Sequence, residues 1–293
     1  MTENDKHAIA AFEKARPRLW GLAYRMLGSA ADADDAVQDT WLRWQTVPHD
    51  DIASPEAWLT TACSRLCIDI LRAAHRTRVD YVGPWLPEPL IGDAGHEPID
   101  QAELASSLSM AFMLLLERLT PTERAAYLLH DVFDYDYDAV SAVLDKQADA
   151  CRQLVSRARK HVERKEVRVE DEPARQRFLL DTFMGALRSG ETDRLASLLA
   201  DDAELWTDGG GKAVAQTDVI RGQSEIARVL DMIWKTAWYD RTFIETQVNG
   251  SPGLMLREND EIVGVLTLAD TADGRISGIH VVRNPDKLGR VSL

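Results

Sequence analysis

Three prolines fall within the nine residues Tyr81–Pro89, and no continuous helix can pass through them, because proline lacks the N–H group and clashes with the preceding turn. On either side, residues 7–76 and 101–165 carry apolar side chains at helical spacing with few helix breakers. The chain of 293 residues therefore predicts two helical domains, over 1–78 and 101–166, joined by a linker over 79–100.

Several helix starts can be predicted within the two helical domains. Ser54-Pro55 has the pattern of a capping residue followed by proline at the first helical position, and Asp32 is expected to cap the helix before it. In the second domain a helix is expected over 101–116, and Thr120-Pro121-Thr122-Glu123 predicts a capped start of the next one.

The pattern changes again after Pro173. Two helical patterns are followed by a third over Ser224–Thr236, and strand-like runs occupy 203–207 and most of 241–282. Turn-forming pairs such as Asn249-Gly250 and Asp273-Gly274 separate the later runs. Residues 173–293 therefore predict an α+β domain with an antiparallel sheet, so the whole chain is expected to be multidomain, with two all-α domains followed by one α+β domain.

Charge is distributed unevenly along the chain. A net charge of −14 and a pI near 5.0 argue against a protein that grips nucleic acid over its whole surface. The segment from Lys146 to Lys165 nevertheless holds seven Lys and Arg residues against only Asp149 and Glu163. This local excess indicates one DNA-reading element, with other surfaces left for other partners.

Other composition features narrow the class of protein. No apolar run is long enough for a membrane helix, and the first residues lack a signal-peptide pattern, so a cytoplasmic protein without a membrane partner is expected. Three cysteines do not make a disulfide framework. Cys63 and Cys67 share a helix face without further ligands at metal-binding spacing, so no metal and no cofactor is predicted.

The basic segment has the pattern of a helix-turn-helix. A short helix ending near Leu144 is followed by a tight turn and a longer basic helix, which is typical of that motif. One stripe of the second helix is apolar and predicts packing on the preceding helices. The opposite face is predicted to contact DNA, and carries Arg152, Gln153, Ser156, Arg157, Arg159 and Lys160. A solvated basic surface would produce the same pattern.

Two pairs of stretches resemble sigma factors of the extracytoplasmic-function type. Residues 116–124 (LERLTPTER) with 156–160 (SRARK) are similar to sigma region 4, whereas 34–41 (DDAVQDTW) and 58–72 are similar to sigma region 2. The resemblance implies promoter DNA and core RNA polymerase, through its β and β′ subunits, as partners. It implies −35 recognition by the helix-turn-helix, −10 recognition by region 2, and capture of a flipped −10 base by the 47–55 loop.

The resemblance also implies a polymerase-binding face near the start of the second helix. Its residues would be Asp34, Asp35, Gln38, Asp39 and Trp41, with Trp44 nearby. Core packing is the alternative for both tryptophans, and we expect it for at least one. The turn of the helix-turn-helix departs from the family, because Asp145, Lys146 and Gln147 stand where glycine and a small capping residue are common.

The α+β domain resembles the SnoaL-like cone fold, which a subgroup of these sigma factors carries as a fused C-terminal domain. Three short motifs carry that resemblance: Trp85, Leu86, Pro87, Glu88 and Pro89; Asp208, Gly209, Gly210, Gly211 and Lys212; Asn284, Pro285, Asp286, Lys287 and Leu288. The resemblance implies that this domain tunes sigma activity in place of a separate anti-sigma protein. The three glycines permit a close approach of backbones, so Lys212 could reach Glu88 or Asp286.

Two other functions remain open at this point. A one-component regulator would sense a small molecule in the C-terminal pocket and bind DNA without core polymerase. A cone-fold enzyme would need a general base in a pocket lined by residues such as Trp206, Asp208, Trp234, Trp238, Tyr239 and His280. Because no paired acid and base can be identified among them, the sequence favours a non-enzyme, with a small-molecule effector as an open possibility.

Overall fold

The computed structural model describes residues 3–49, 52–77, 81–92, 107–163 and 173–291. Its described residues fall into two compact units. Those within Met1–Val79 and Leu115–Arg164 form the first unit, and those within Asp80–Leu114 and Lys165–Leu293 form the second. The second unit is therefore discontinuous in sequence, because it combines the proline-rich segment with the C-terminal domain.

Three helices build the N-terminal part of the first unit: α1 (Glu3–Leu27), α2 (Ala30–Thr46) and α3 (Pro55–Thr77). The predicted Ser54-Pro55 start of α3 is confirmed, since Ser54 Oγ accepts from the Ala57 amide at 3.3 Å. The cap expected at Asp32 is wrong: Ser29 caps α2 and accepts from the Asp32 amide instead. Residues 50, 51 and 78 of the predicted elements lie outside the described residues.

The following helices are shorter. They are α4 (Met110–Leu116), α5 (Pro121–Tyr127), α6 (Tyr137–Leu144) and α7 (Ala148–Glu163), with a π-helical turn over Leu128–Val132. The expected start of α5 is confirmed as a capping box, in which Thr120 and Glu123 cap each other's backbone amides. A helix over 101–116 was expected, but residues 107–109 form a turn ahead of α4, and 101–106 lie outside the described part.

Asp145 explains how the helix-turn-helix forms without glycine at its turn. It ends α6 in the left-handed conformation, with φ of 51°, which aspartate tolerates better than most residues. The Ser141 hydroxyl then donates to the Lys146 carbonyl at 2.5 Å, and the Lys146 amide donates back to the Ser141 carbonyl at 3.2 Å. The side chain of Ser141 thus fixes the turn that glycine would otherwise permit.

Arginines fasten the N-terminal helices to the helix-turn-helix within the first unit. Arg65 on α3 donates to the carbonyls of Ala142 and Val143 at 2.8 and 2.9 Å, so a positive charge caps the C-terminal end of α6. The buried Arg124 on α5 donates to the Met26 carbonyl at 2.6 Å. Burial also lowers the pKa of Arg25, which lies in α1, to about 10. These contacts hold the two sets of helices in one packed arrangement.

The C-terminal domain is a six-stranded sheet with helices on it. Two helices precede the sheet, α8 (Pro173–Ser189) and α9 (Thr192–Leu198), and α10 (Gln223–Ile233) lies between its second and third strands. The strands, in spatial order, are β2 (Ile220–Arg221), β1 (Leu199–Asp208), β6 (Ile276–Val282), β5 (Glu261–Asp270), β4 (Ser251–Glu258) and β3 (Thr242–Val248). A short helix, α11 (Pro285–Leu288), follows β6.

The sheet is mixed rather than fully antiparallel. Strands β3 to β6 form the expected antiparallel meander, but β6 pairs with β1 in parallel, for instance Leu205 with Ile279. The connection that carries α10 leads from β2 to β3 at the opposite edge of the sheet. The meander then returns strand by strand, until β6 lies beside β1 and runs in the same direction. The expectation of a purely antiparallel sheet was therefore wrong at this one pair, whereas the α+β class is confirmed.

Two apolar cores lie on opposite faces of the sheet, because side chains alternate along each strand. The larger core combines α8, α9 and α10 with residues such as Leu256 and Val281. The smaller core combines Met255 and Val282 with Leu86 of the proline-rich segment. No helix in the described part of the chain is long and apolar enough to span a membrane.

Candidate functional sites

The outer face of α7 presents all six side chains predicted for DNA. Cys151, Leu154, Val155 and Ala158 are buried and Val162 is half-buried, so the apolar stripe packs inward as expected. The exposed side chains are Arg152, Gln153, Ser156, Arg157, Arg159 and Lys160. The periodicity of the helix therefore separates a packing face from a basic, solvent-facing one.

Carboxylates of the first unit already bind three of these arginines. Arg159 Nε and Nη2 both contact Asp131 at 2.7 Å, and this carboxylate raises the pKa of Arg159 above its usual value. Arg157 Nε lies 3.1 Å from Glu123 Oε1, and Arg152 Nη1 lies 2.5 Å from Asp149 Oδ1. Phosphate binding by these arginines would therefore require an exchange of one anionic partner for another.

The predicted polymerase face of α2 divides into exposed and inward-facing residues. Asp35, Gln38 and Asp39 are exposed. Asp34 is half-buried and accepts from Trp20 Nε1 at 2.7 Å, and the ring of Trp41 lies 4.8 Å from that of Phe12. Trp44 is fully buried and donates to the Ala8 carbonyl at 2.9 Å, so the expected core packing is confirmed for this tryptophan.

The sequence reasoning missed one residue of this face. Leu42 is 51% exposed, which is high for a large apolar side chain. It stands seven residues after Asp35, and with Gln38 and Asp39 it completes the spacing of a single helix face. An apolar residue at the end of an acidic stripe was the signal that could have identified it.

The three C-terminal motifs meet around one buried carboxylate. Asp208 Oδ2 accepts from Lys287 Nζ at 2.7 Å and from the Leu86 amide at 2.8 Å, and Asp208 Oδ1 accepts from the Tyr81 hydroxyl at 2.5 Å. Asn284 Nδ2 donates to the same tyrosine oxygen at 3.0 Å. We name these five residues, Tyr81, Leu86, Asp208, Asn284 and Lys287, the linker clasp.

Aromatic rings and apolar contacts surround the linker clasp. Lys287 Nζ lies 4.2 Å from the ring centre of Trp85 and also donates to the Leu86 carbonyl at 2.5 Å. Pro87, Glu88 and Pro89 are buried, as is Leu288 on the other side of the contact. The proline-rich segment is therefore packed on the C-terminal domain, with residues 86–90 buried and Val82 exposed.

The glycines of the second motif permit this close packing. Gly210 has a φ of 57°, and a Cβ there would lie 2.2 Å from Asn284 Nδ2. A Cβ on Gly209 would lie 2.3 Å from the Ala213 carbonyl oxygen, and Gly211 faces Val82. Lys212 bonds Asp286 at 2.5 Å, as anticipated, whereas Glu88 lies near Arg290, at 3.7 Å. The loop thus places Asp208 and Asn284 side by side.

The residues expected to line a catalytic pocket are not brought together. His280 and Trp206 stand on the sheet face of the smaller core, His280 with Nδ1 at 3.5 Å from Thr267 Oγ1. Trp234 and Trp238 pack on the larger core, and Tyr239 is exposed. Asp208, the candidate base, is taken up by the linker clasp. No group of three His, Cys, Asp or Glu side chains suited to a metal occurs in the described ranges.

Comparisons with known proteins agree with this architecture. The Sigma-70 region 2 family model matches residues 11–77 and the Sigma-70 region 4 model matches residues 109–162. The ECF RNA polymerase sigma factor SigJ of Mycobacterium tuberculosis is 35% identical over 95% of this chain and 92% of its own length. The probable ECF RNA polymerase sigma factor SigI of the same organism is 31% identical over 98% and 97%.

A solved structure extends the match to the whole fold. The crystal structure of Mycobacterium tuberculosis SigJ superposes with a TM-score of 0.73 at 32% sequence identity, covering 96% of this chain and 98% of that one. The C-terminal domain accordingly has the SnoaL-like fold expected from its motifs. Since both sigma regions and their order match, the sigma factor interpretation is favoured over a one-component regulator. The chain belongs to the extracytoplasmic-function (ECF) family of RNA polymerase sigma factors, proteins that bind core RNA polymerase and promoter DNA to initiate transcription.

Proposed function

We propose that α7 reads −35 promoter DNA and that the region around α3 reads the −10 element. The residues nearest the start of α7, Arg152, Gln153 and Ser156, suit base edges in the major groove, because their donors and acceptors are exposed together. Arg157, Arg159 and Lys160 suit phosphates, with the first two leaving Glu123 and Asp131 as DNA arrives. The 47–55 loop, of which 50 and 51 lie outside the described residues, would accept the flipped base.

Core polymerase would bind the stripe made by Asp35, Gln38, Asp39 and Leu42. An apolar side chain beside acids suits a partner surface with basic residues around an apolar patch, as expected for the β and β′ subunits. Asp34 and Trp41 would act indirectly, since their contacts with Trp20 and Phe12 set the orientation of α2.

The C-terminal domain would regulate the sigma regions by holding their linker, in place of a separate anti-sigma protein. The observation that carries this proposal is the linker clasp, in which the buried Asp208 binds Tyr81, the Leu86 amide and Lys287. Residues 81–92 would span roughly 40 Å if they were fully extended. While they are bound to the C-terminal domain, they cannot extend. Because the −10 and −35 elements are separate stretches of DNA, a shortened linker restrains the two regions that must reach them.

Release of the linker would therefore raise transcription. In the packed first unit, Arg65 and Arg124 bind α6 carbonyls and Met26, so regions 2 and 4 have a resting arrangement that competes with promoter binding. When the linker is bound to the C-terminal domain, a larger fraction of the molecules would have regions 2 and 4 in this resting arrangement.

In-vitro transcription with core polymerase tests the proposal, on a promoter selected by binding of the full-length holoenzyme. Lys287→Met and Tyr81→Phe should each raise transcript yield relative to the wild-type protein. Deletion of the residues after Arg168 should also change the yield. Lys212→Met is the matched control, because it removes an exposed pair with Asp286 and leaves the linker clasp intact. Unchanged yield in both clasp variants would contradict regulation by linker docking.

The C-terminal domain is proposed to bind rather than to catalyse. Both oxygens of Asp208 are engaged by the linker clasp, and His280 lies on the opposite sheet face from Trp234 and Trp238. A general base must lie within hydrogen-bonding reach of its substrate, and the carboxylate of Asp208 is wholly buried beneath the linker clasp. Proton exchange from an added ketone by the full chain, lost on Asp208→Asn substitution, would contradict this.

A further inference from the structure

Arg241 is a buried cation whose hydrogen-bonding groups are mostly unpaired. Its side chain is only 10% exposed, and its Nη2 lies 3.0 Å from Glu258 Oε2. Nε and Nη1 are buried without any hydrogen-bond acceptor among the described residues. Since Nε carries one N–H and Nη1 two, three donors of a charged group are left unsatisfied. Proteins rarely bury such donors without a partner, which indicates a position suited to an acceptor from a ligand.

A second arginine lies at the same end of the sheet. Strand β3 begins just after Arg241, β4 ends at Glu258, and β6 ends just before Arg283. Alternation along the strands puts all three on the face of the larger core, because Phe243, Leu256 and Val281 pack there. Arg283 extends over Gly264 on β5, where a Cβ would lie 3.6 Å from Arg283 Cγ. The two arginines thus lie at the same end of the sheet and on the same face.

The arginine pair is incompletely neutralised. Within the described ranges Arg283 donates to carbonyl oxygens, those of Val214 at 3.0 Å and Val263 at 3.4 Å, while Glu258 pairs with Arg241. Burial, and next the charge of Arg241, lower the pKa of Arg283. Carbonyl oxygens, and no carboxylate, are thus the hydrogen-bond partners of Arg283 in the described part of the chain, so an added anion would gain a charge-assisted hydrogen bond there.

The neighbouring wall is aromatic. The Arg241 amide donates to the carbonyl of Trp238, and the Trp238 and Phe243 rings meet with centroids 5.8 Å apart. The ring centre of Trp234 also lies 5.8 Å from that of Phe243. We propose that Arg241 and Arg283 bind the carboxylate of a small organic acid, whose apolar body contacts these aromatic rings. The site lies on the sheet face opposite the linker clasp.

The proposal extends the proposed regulatory role by naming the ligand class, and binding is measurable without transcription. Arg283 leads directly into Asn284, and both backbone amides donate to the Asp208 carbonyl, at 2.7 and 2.8 Å. A ligand that draws Arg283 inward would therefore act on a segment already bonded to the linker clasp. If the transcription experiment contradicts the regulatory role, acid binding at Arg241 can still be detected. The two proposals can therefore be refuted independently.

Isothermal titration calorimetry of the full chain tests the site with benzoate, acetate and octanoate, and with benzyl alcohol as the neutral analogue. At least one acid should bind, and at tenfold excess over its Kd it should raise Tm by about 3–6 °C. Arg241→Met should weaken that acid at least tenfold, without lowering the Tm of the ligand-free protein, because it removes unpaired buried donors. Arg228→Met is the matched control, an exposed arginine paired with Glu225.

Four results would each overturn the proposal. The first is Kd values weaker than about 10 mM for all three acids. The second is equal binding of benzyl alcohol and benzoate, which would assign the affinity to the rings alone. The third is full retention of acid binding in both Arg241→Met and Arg283→Gln. A lower Tm of ligand-free Arg241→Met together with unchanged acid binding would show that Arg241 is only structural.

Discussion

Lys287 Nζ lies 2.7 Å from Asp208 Oδ2, and the side chain of Asp208 is wholly buried while that of Lys287 is 13% exposed. A buried ion pair of this kind adds little net stability by itself, because both charges lose hydration. Replacing only one of the two residues is destabilising, because the remaining charge stays buried without a partner charge. Docking of the linker and the position of Lys287 therefore depend on each other, because the Leu86 amide and Lys287 both bind the buried carboxylate of Asp208.

Lys287→Met should destabilise the C-terminal domain by about 3–5 kcal/mol, because it leaves the Asp208 carboxylate buried without its cation. Urea unfolding followed by tryptophan fluorescence measures this. The double variant Asp208→Asn with Lys287→Met should recover part of the loss. Lys212→Met, which removes only an exposed pair with Asp286, should cost no more than about 1 kcal/mol. Equal costs for Lys287 and Lys212 would be inconsistent with a buried clasp.

Replacing Arg152, Arg157 and Arg159 together by Gln should abolish promoter-directed initiation. Removal of each phosphate-binding arginine should also reduce the slope of log K against log salt concentration by about 1. Filter binding of the holoenzyme at several salt concentrations gives that slope. Arg194→Gln serves as control, because Arg194 forms an exposed pair with Glu191 in the C-terminal domain. Undiminished initiation by the triple variant would remove α7 from DNA recognition.

Charge reversal at Asp35, and separately at Asp39, should weaken core polymerase binding at least tenfold, because repulsion replaces attraction at the exposed stripe. Leu42→Asp should have a similar effect by burying a charge at an apolar contact. Fluorescence anisotropy with labelled protein and core enzyme measures the affinity. The Tm should change little, since these side chains are exposed. Wild-type affinity in the three variants would place the polymerase contact elsewhere.

Alkaline pH should loosen the linker. Burial, and next the hydrogen bond to Asp208, raise the pKa of Tyr81 above its ordinary value of 10.0. Above pH 10 the unfolded chain therefore loses this proton while the folded protein keeps it, so stability falls as pH rises. Tyr81→Phe should unfold with a weaker dependence on pH between about 10 and 11, in urea titrations read by fluorescence. An identical pH dependence in both proteins would mean that Tyr81 does not titrate with folding.

Local patterns were sufficient to predict much of this chain. The capping box at Thr120 and Glu123, the apolar stripe of α7 and the strands of the meander all depend on residues a few positions apart, and their predictions were confirmed. Pairings between distant residues were not accessible in the same way. The parallel β1–β6 pair depends on the path of the whole meander, which no periodicity encodes.

The sites show the same division. Glu123 was identified only as a capping residue, although it also binds Arg157, and Asp131 was not recognised as the partner of Arg159. Asp208 was considered as a pocket base as well as a motif residue, and only the fold shows its bonds to Tyr81 and Lys287. Arg241 and Arg283 lie 42 positions apart in sequence and in no motif, and only the folded sheet places them at the same end of one face.

The discontinuous second unit has a consequence for synthesis. Leu86 precedes the Lys287 that holds it by 201 residues. At about 5–20 residues per second, a ribosome needs roughly 10–40 s to make that stretch. During this interval the nascent protein has both sigma regions but not α11, whose Lys287 binds the linker. Every newly made molecule therefore passes through a period in which Leu86 has been made but its partners Val282 and Lys287 have not, so the linker cannot yet pack on the C-terminal domain.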